Sequence, residues 1–168
     1  MGLDRHTGRV VGIFVTPEAG GAMRAVDEVT ALAGRGLEGD RYATGAGSWS
    51  DRTQAGRRDL SVFSVEKLDE MATSTGVRLE PREARRNVLV EGLDVQGLVG
   101  KQFRVGEAIC YAIRVAQPCI YLEQRTRPGV LKALMNRGGV FCEIVVGGRV
   151  AVGDVVAVLA PEDEVDRK

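Results

Sequence analysis

The chain has 168 residues, and its 23 Lys and Arg are balanced by 23 Asp and Glu. That length suits one domain able to bury a core without disulfide staples. The even charge argues against general binding to nucleic acid or to a membrane surface, both of which draw on a basic excess, but it leaves room for a local basic pocket.

In chain order, residues 10–16 form a short apolar run and read as a strand. Residues 24–30 alternate more weakly and read as a second strand. Residues 37–56 are polar and Gly-rich and read as one long loop, a feature that in a compact domain usually carries function. Residues 59–63 are a third strand. Val65, Leu68 and Met71 then repeat at helical spacing, which predicts a short helix over 65–73. Residues 87–90 look like a brief strand before Gly92.

The C-terminal half is β-rich. Strands at 102–105 and 108–115 flank a Gly106-Glu107 turn, with Ile109, Tyr111, Ile113 and Val115 on one face of the second. After Pro118, residues 119–124 start a helical turn. Residues 129–136 read as a second short helix ended by Arg137-Gly138-Gly139. A strand at 140–146, a Gly147-Gly148 turn and a strand at 155–159 complete a single domain spanning 8–160. The charged segment 161–168 reads as a disordered tail. Many short strands, few helices and frequent Gly turns predict a mainly β fold, a closed or half-closed barrel with a few short helices.

Gly34-Arg35-Gly36-Leu37-Glu38-Gly39 matches the G-x-G-x-x-G dinucleotide pattern, with Asp59 about 20 residues on. The pattern needs to open a helix so that amides face a pyrophosphate. Here it runs instead into Asp40-Arg41-Tyr42 and more glycines, so the match is set aside. His6 is the only histidine and reads as a surface residue. One imidazole rules out multi-His metal sites and makes a Ser-His-Asp triad a poor reading.

The three cysteines, Cys110, Cys119 and Cys142, contain no C-x-x-C spacing and form a poor disulfide framework. They fit reduced thiols in the cytoplasm. No apolar run approaches transmembrane length, and the N-terminus lacks an apolar signal core. Cys110 and Cys142 fall inside strands and read as small core hydrophobes. Cys119 follows Pro118 and leaves the strand for a helix start, near Arg114, Arg125 and Arg127, a setting that favours a thiolate. Loop arginines recur at Arg57-Arg58, Arg82, Arg85-Arg86, Arg125, Arg127 and Arg137. They read either as a solvated surface or as forks converging on an anion.

Several fragments together resemble one family. Leu37-Glu38-Gly39-Asp40-Arg41 is similar to the Gly-Asp-Arg-His segment of MOSC domains, the C-terminal domains of molybdenum-cofactor sulfurases. Arg86-Asn87-Val88 resembles their Arg-Glu-Asn segment, followed by an apolar strand and Gly92. Segments 92–94, 98–101 and 105–108 resemble the next block, and Pro118-Cys119 the family's Pro-Cys signature. Arg137-Gly138-Gly139 and Val152-Gly153-Asp154-Val155-Val156 resemble the closing segments. Order and spacing agree over residues 11–159, as in the stand-alone bacterial type. Tyr42 stands where many relatives have His, and Arg86 rather than Glu precedes Asn87.

The resemblance implies a β-barrel with short helices and a role in molybdenum and sulfur chemistry. It assigns Cys119 as the residue that ligates molybdenum or carries sulfur. It implies that Asp40, Arg41, Arg86, Asn87 and Arg137 bind the molybdenum cofactor (molybdopterin), and Arg58, one of the loop arginines, joins them as a candidate for holding its phosphate. It implies either an oxidoreductase that reduces N-hydroxylated compounds with a redox partner, or a persulfide carrier acting with a cysteine desulfurase. In the second case pyridoxal phosphate enters only through that partner. A non-catalytic β-barrel binding module with a structural Cys119 is the third reading.

Overall fold

A computed structural model describes residues 4–47 and 57–167. The N-terminal half runs β1 (Thr7–Val15), β2 (Arg24–Val26), β3 (Glu28–Leu32), β4 (Gly36–Leu37), α1 (Arg41–Thr44), β5 (Leu60–Ser64), α2 (Val65–Thr75) and β6 (Val88–Glu91). The C-terminal half runs β7 (Gln102–Val105), β8 (Ala108–Val115), α3 (Ile120–Arg125), α4 (Val130–Leu134), β9 (Val140–Val146), β10 (Gly148–Ala151) and β11 (Val155–Val158).

Seven strands close into a barrel in the order β11-β7-β8-β9-β5-β6-β1, sealed by pairing of β1 with β11. Closure leaves these seven strands no open edge. Strand β2 extends the sheet beside β1, and β10, β3 and β4 form a small second sheet. The protein is therefore mainly β with four short α-helices among the described residues, as expected from the sequence. No helix there is long and apolar enough to cross a membrane.

All neighbouring barrel strands are antiparallel except β5 and β6. A parallel pair needs a long crossover, and α2 lies in it. Helix α2 starts where the Ser64 hydroxyl accepts the Lys67 amide at 3.3 Å and ends at Gly76, whose φ of 75° suits a residue without Cβ. Its Leu68 and Met71 are buried against Phe63, Leu79, Leu89, Leu122 and Val130 in an outer cluster. The barrel interior forms a second core, including Val10, Ile13, Leu60, Val62, Val88, Leu98, Phe103, Val140 and Ile144. Strand β5 lies between the two cores, so all of its residues are buried and its sequence shows no alternation.

Three local expectations are corrected. The segment 24–30 is not one strand: it breaks at Asp27, because β2 pairs with β1 while β3 pairs with β10. The loop expected over 37–56 begins with the last residue of β4 and contains α1, capped by Asp40, while residues 48–56 lie outside the described residues. Gly148 opens β10 rather than a turn alone. In β8 it is Ala108, Cys110 and Ala112 that face the barrel core, while Tyr111 and Ile113 are half-buried outside. Larger residues such as Phe103 and Leu98 occupy the same interior, and small ones on β8 leave them space.

The charged C-terminal segment lies along β7–β9. Gln102 and Val165 exchange side-chain-to-backbone hydrogen bonds of 2.6 and 2.9 Å. Arg167 reaches Glu143 at 3.1 Å and stacks over Tyr111 at 3.4 Å.

Candidate functional site

The ends of β1 and β8 and the starts of β6 and β9 meet the middle of β5 in one row across the barrel wall, Ile13–Val88–Val62–Val140–Val115. A cavity of about 250 Å³ opens there. Its lining includes Arg41 and Tyr42 from α1, Arg58 before β5, Arg85, Arg86 and Asn87 before β6, and Phe141 from β9. Gln117, Pro118, Cys119, Tyr121 and Leu122 complete the far wall. Cys119 is half-buried and caps the start of α3 with extended backbone, φ −123° and ψ 163°. Its side chain makes no capping hydrogen bond. The Cys119 carbonyl accepts the Leu122 amide at 3.1 Å, and this fixes where the thiol stands.

Cys110 and Cys142 lie in the barrel interior, wholly buried. Burial raises both thiols above the ordinary cysteine range, as befits core residues. Among the described residues no group of three or more His, Cys, Asp or Glu could hold a metal ion by itself. A single half-buried thiol among cations is the soft donor this cavity offers.

Four arginines line the cavity, and among its described lining residues there is no Asp or Glu. Arg41 is neutralised from behind: Asp40, fully buried, sits 3.1 Å from Nη1. The other three arginines are perturbed as crowded cations. Burial pushes Arg86 down to about 10, with Arg58 adding repulsion. Burial also lowers Arg58 and Arg85. A cavity whose cations are held below their usual range favours an anionic guest, which would restore the charged forms.

Arg85 adopts a φ of 57°, uncommon outside glycine. The twist divides two neighbouring side chains. Arg85 Nη1 donates to the Gly21 carbonyl at 2.6 Å, while Arg86 turns to the carbonyls of Gly138 and Ala116 at 3.0 and 3.3 Å. Arg125 holds the adjacent Gly20 carbonyl at 2.6 Å, so the β1–β2 loop is tied beside the cavity by two guanidiniums.

The site residues named from sequence separate into three groups. Cys119, Arg41, Arg58 and Arg86 come together around the cavity. Asn87 also lines the cavity, though its side chain is spent on the fold, and Asp40 acts from behind Arg41. Asp40 accepts from the Thr16 and Tyr42 amides and from Arg41. Asn87, 3% exposed, accepts from Ser61 and donates to the Phe14 carbonyl. Arg137 does not line the cavity: it donates to Glu70 and to the Ala133 carbonyl. Gln117, Tyr121 and Phe141 were missed, and Tyr42 was marked only as standing in the place of a His of the family segment. Phe141 carried a faint signal, an aromatic on the outward register of an alternating strand; Gln117 and Tyr121 carried none.

The residues present fit a pterin-type molybdenum cofactor in chemical kind. A thiol is a soft metal donor, guanidiniums suit its phosphate, and no lining carboxylate repels an anion.

Comparison with solved structures finds YuaD of Bacillus subtilis at a TM-score of 0.76 and 22% identity, covering 94% of this chain and 98% of that one. YiiM of Geobacillus stearothermophilus superposes at 0.68 with 14% identity over 91% of this chain and 75% of its own. YiiM of Escherichia coli gives 0.65 and 20% over 94% and 72%. At these identities the likeness speaks for the fold. No curated protein matches the chain. The MOSC domain profile matches residues 40–157, a span that takes in both Asp40-Arg41 and Pro118-Cys119, and the chain belongs to the MOSC domain family.

Proposed function

We propose that this protein binds molybdenum cofactor in the Arg-lined cavity, with Cys119 as the protein ligand to the metal. The carrying observation is that a half-buried thiol and four arginines share one cavity that no described carboxylate lines. Cys119 supplies a soft sulfur donor. Arg58, Arg85 and Arg86 hold the phosphate through charge-assisted hydrogen bonds. Arg41, already paired with Asp40, fixes the shape of the wall. Phe141, Leu60 and Leu122 limit water at the thiol. When bound, the cofactor would supply redox chemistry suited to reducing N-hydroxylated compounds, with electrons from a separate partner.

The test is to purify the protein from cells that make the cofactor and measure molybdenum and pterin. Stoichiometric metal that disappears in Cys119→Ala supports the reading. Protein free of both, which also fails to take up added cofactor, overturns it.

A persulfide-carrier reading draws on the accessibility of the same thiol, since Cys119 is only half-buried. Here a pyridoxal-phosphate-dependent cysteine desulfurase would be the partner. Incubation with such an enzyme would add one sulfur to Cys119, seen by mass spectrometry. Equal labelling of Cys119→Ala removes this reading.

A further inference from the structure

We propose that Phe141 is a positioning residue of the anion site: its ring orders the guanidiniums of Arg58, Arg86 and Arg114 so that the cavity selects ligands carrying at least two negative charges. This deepens the function proposed above and rests on it only for the anionic character of the ligand.

Phe141 is 6% exposed and lies on β9 between Ser61 of β5 and Arg114 of β8. Arg114 faces it because the β8 register shifts between Ala112 and Arg114. Such a bulge re-aims side chains, here bringing a cation opposite a ring. The guanidinium carbons of Arg58, Arg114 and Arg86 stand 4.2, 4.6 and 4.9 Å from the ring centroid. Three like charges around one side chain repel each other. The ring quadrupole attracts all three, and backbone carbonyls take up part of the rest: Gly138 and Ala116 for Arg86, and Arg57 for Arg114.

A carboxylate in the place of Phe141 would order the same arginines but quench them. An aromatic ring orders cations without neutralising them. The lowering of Arg86 by burial and by Arg58 agrees with charge left unspent. Arg86 and Arg114 donate to neutral carbonyls, so a monoanion would leave one of these two charges uncompensated, whereas a phosphate-type polyanion matches both.

The probe is inorganic pyrophosphate, with acetate as the single-charge control, titrated calorimetrically into the full chain. Wild type is expected to bind pyrophosphate and not acetate. Phe141→Leu, which keeps apolar bulk but loses the ring, should bind pyrophosphate about fivefold more weakly or worse. Phe141→Tyr, which keeps the ring, should stay near wild type. Equal binding by Phe141→Leu, equal loss in Phe141→Tyr, or no wild-type binding at all overturns the proposal. If Phe141→Leu does not fold, the wild-type Phe141 ring proton resonances decide: they should move along the pyrophosphate titration, and static resonances overturn it. Since the probe contains no molybdenum, a positive result beside a metal-free, cofactor-refusing protein would sink the cofactor reading and leave Phe141's role standing.

Discussion

Asn87 and Ser61 grip each other across the β5–β6 junction in the wall of the cavity. The Ser61 amide and hydroxyl donate to Asn87 Oδ1 at 3.0 and 3.2 Å, and the Asn87 amide donates back to Ser61 Oγ at 3.0 Å. The Asn87 side-chain amide also donates to the Phe14 carbonyl of β1 at 3.0 Å. One buried side chain thus joins β1, β5 and β6 in the wall of the cavity that Arg86 and Cys119 also line. Asn87→Ala would leave the Ser61 amide and the Phe14 carbonyl buried without these partners. We expect a loss of about 2–4 kcal/mol, read as a lower denaturant midpoint with an unchanged slope. A change below about 0.5 kcal/mol would show that the junction does not depend on it.

Much of this architecture was legible in the sequence, because the barrel strands β7, β8 and β9 follow period-two patterning between Gly turns. The break at Asp27 was not, since the switch of β2 and β3 to different sheets is a long-range pairing with no local mark. At the site, Pro118-Cys119 and the arginine pair were visible as residue types. Which arginines converge was not. Arg86 and Arg137 look alike in sequence, yet Arg86 turns to the Gly138 carbonyl and Arg137 to Glu70. The role of Phe141 depends on a register shift in a neighbouring strand, which no local pattern encodes.

Cys119 caps α3 without using its side chain for capping. A serine hydroxyl at such a position can accept a first-turn amide. Cys119→Ser is therefore expected to melt at or slightly above the wild-type temperature, by about 0.5 kcal/mol of added stability, while losing native thiol reactivity. Titration with a thiol reagent should find one reactive group in the native wild type and none in Cys119→Ser, with Cys110 and Cys142 reacting only after unfolding. Two or three reactive thiols in the folded protein would contradict the burial of Cys110 and Cys142.

High pH offers a second check on those two core thiols. Burial holds both above the cysteine reference of 9.0, so the folded state keeps protons that the unfolded state releases above about that pH. Their contribution to stability is full below pH 9 and declines as pH rises beyond it. The slope is about 1.4 kcal/mol per pH unit for each thiol. Cys110→Ala with Cys142→Ala should flatten the fall in stability between about pH 8.5 and 10. An unaltered slope would place its cause elsewhere.

Glu143 is 4% exposed, and its carboxylate is met by Arg167 Nε and Nη2 at 3.2 and 3.1 Å. The same guanidinium covers the Tyr111 ring. A buried carboxylate stripped of its cation is costly, whereas neutralising both partners is cheaper. Arg167→Ala is expected to cost about 1–2 kcal/mol, below the full penalty for breaking a buried pair because Arg167 itself is partly exposed. Adding Glu143→Gln to Arg167→Ala should recover part of that loss. The pair also ties the C-terminal segment to β8 and β9, so Arg167→Ala should speed amide exchange at Val165, whose N–H is held by Gln102 at 2.9 Å. If the double variant is no more stable than Arg167→Ala, the cost lies in lost stacking on Tyr111 rather than in an uncompensated charge.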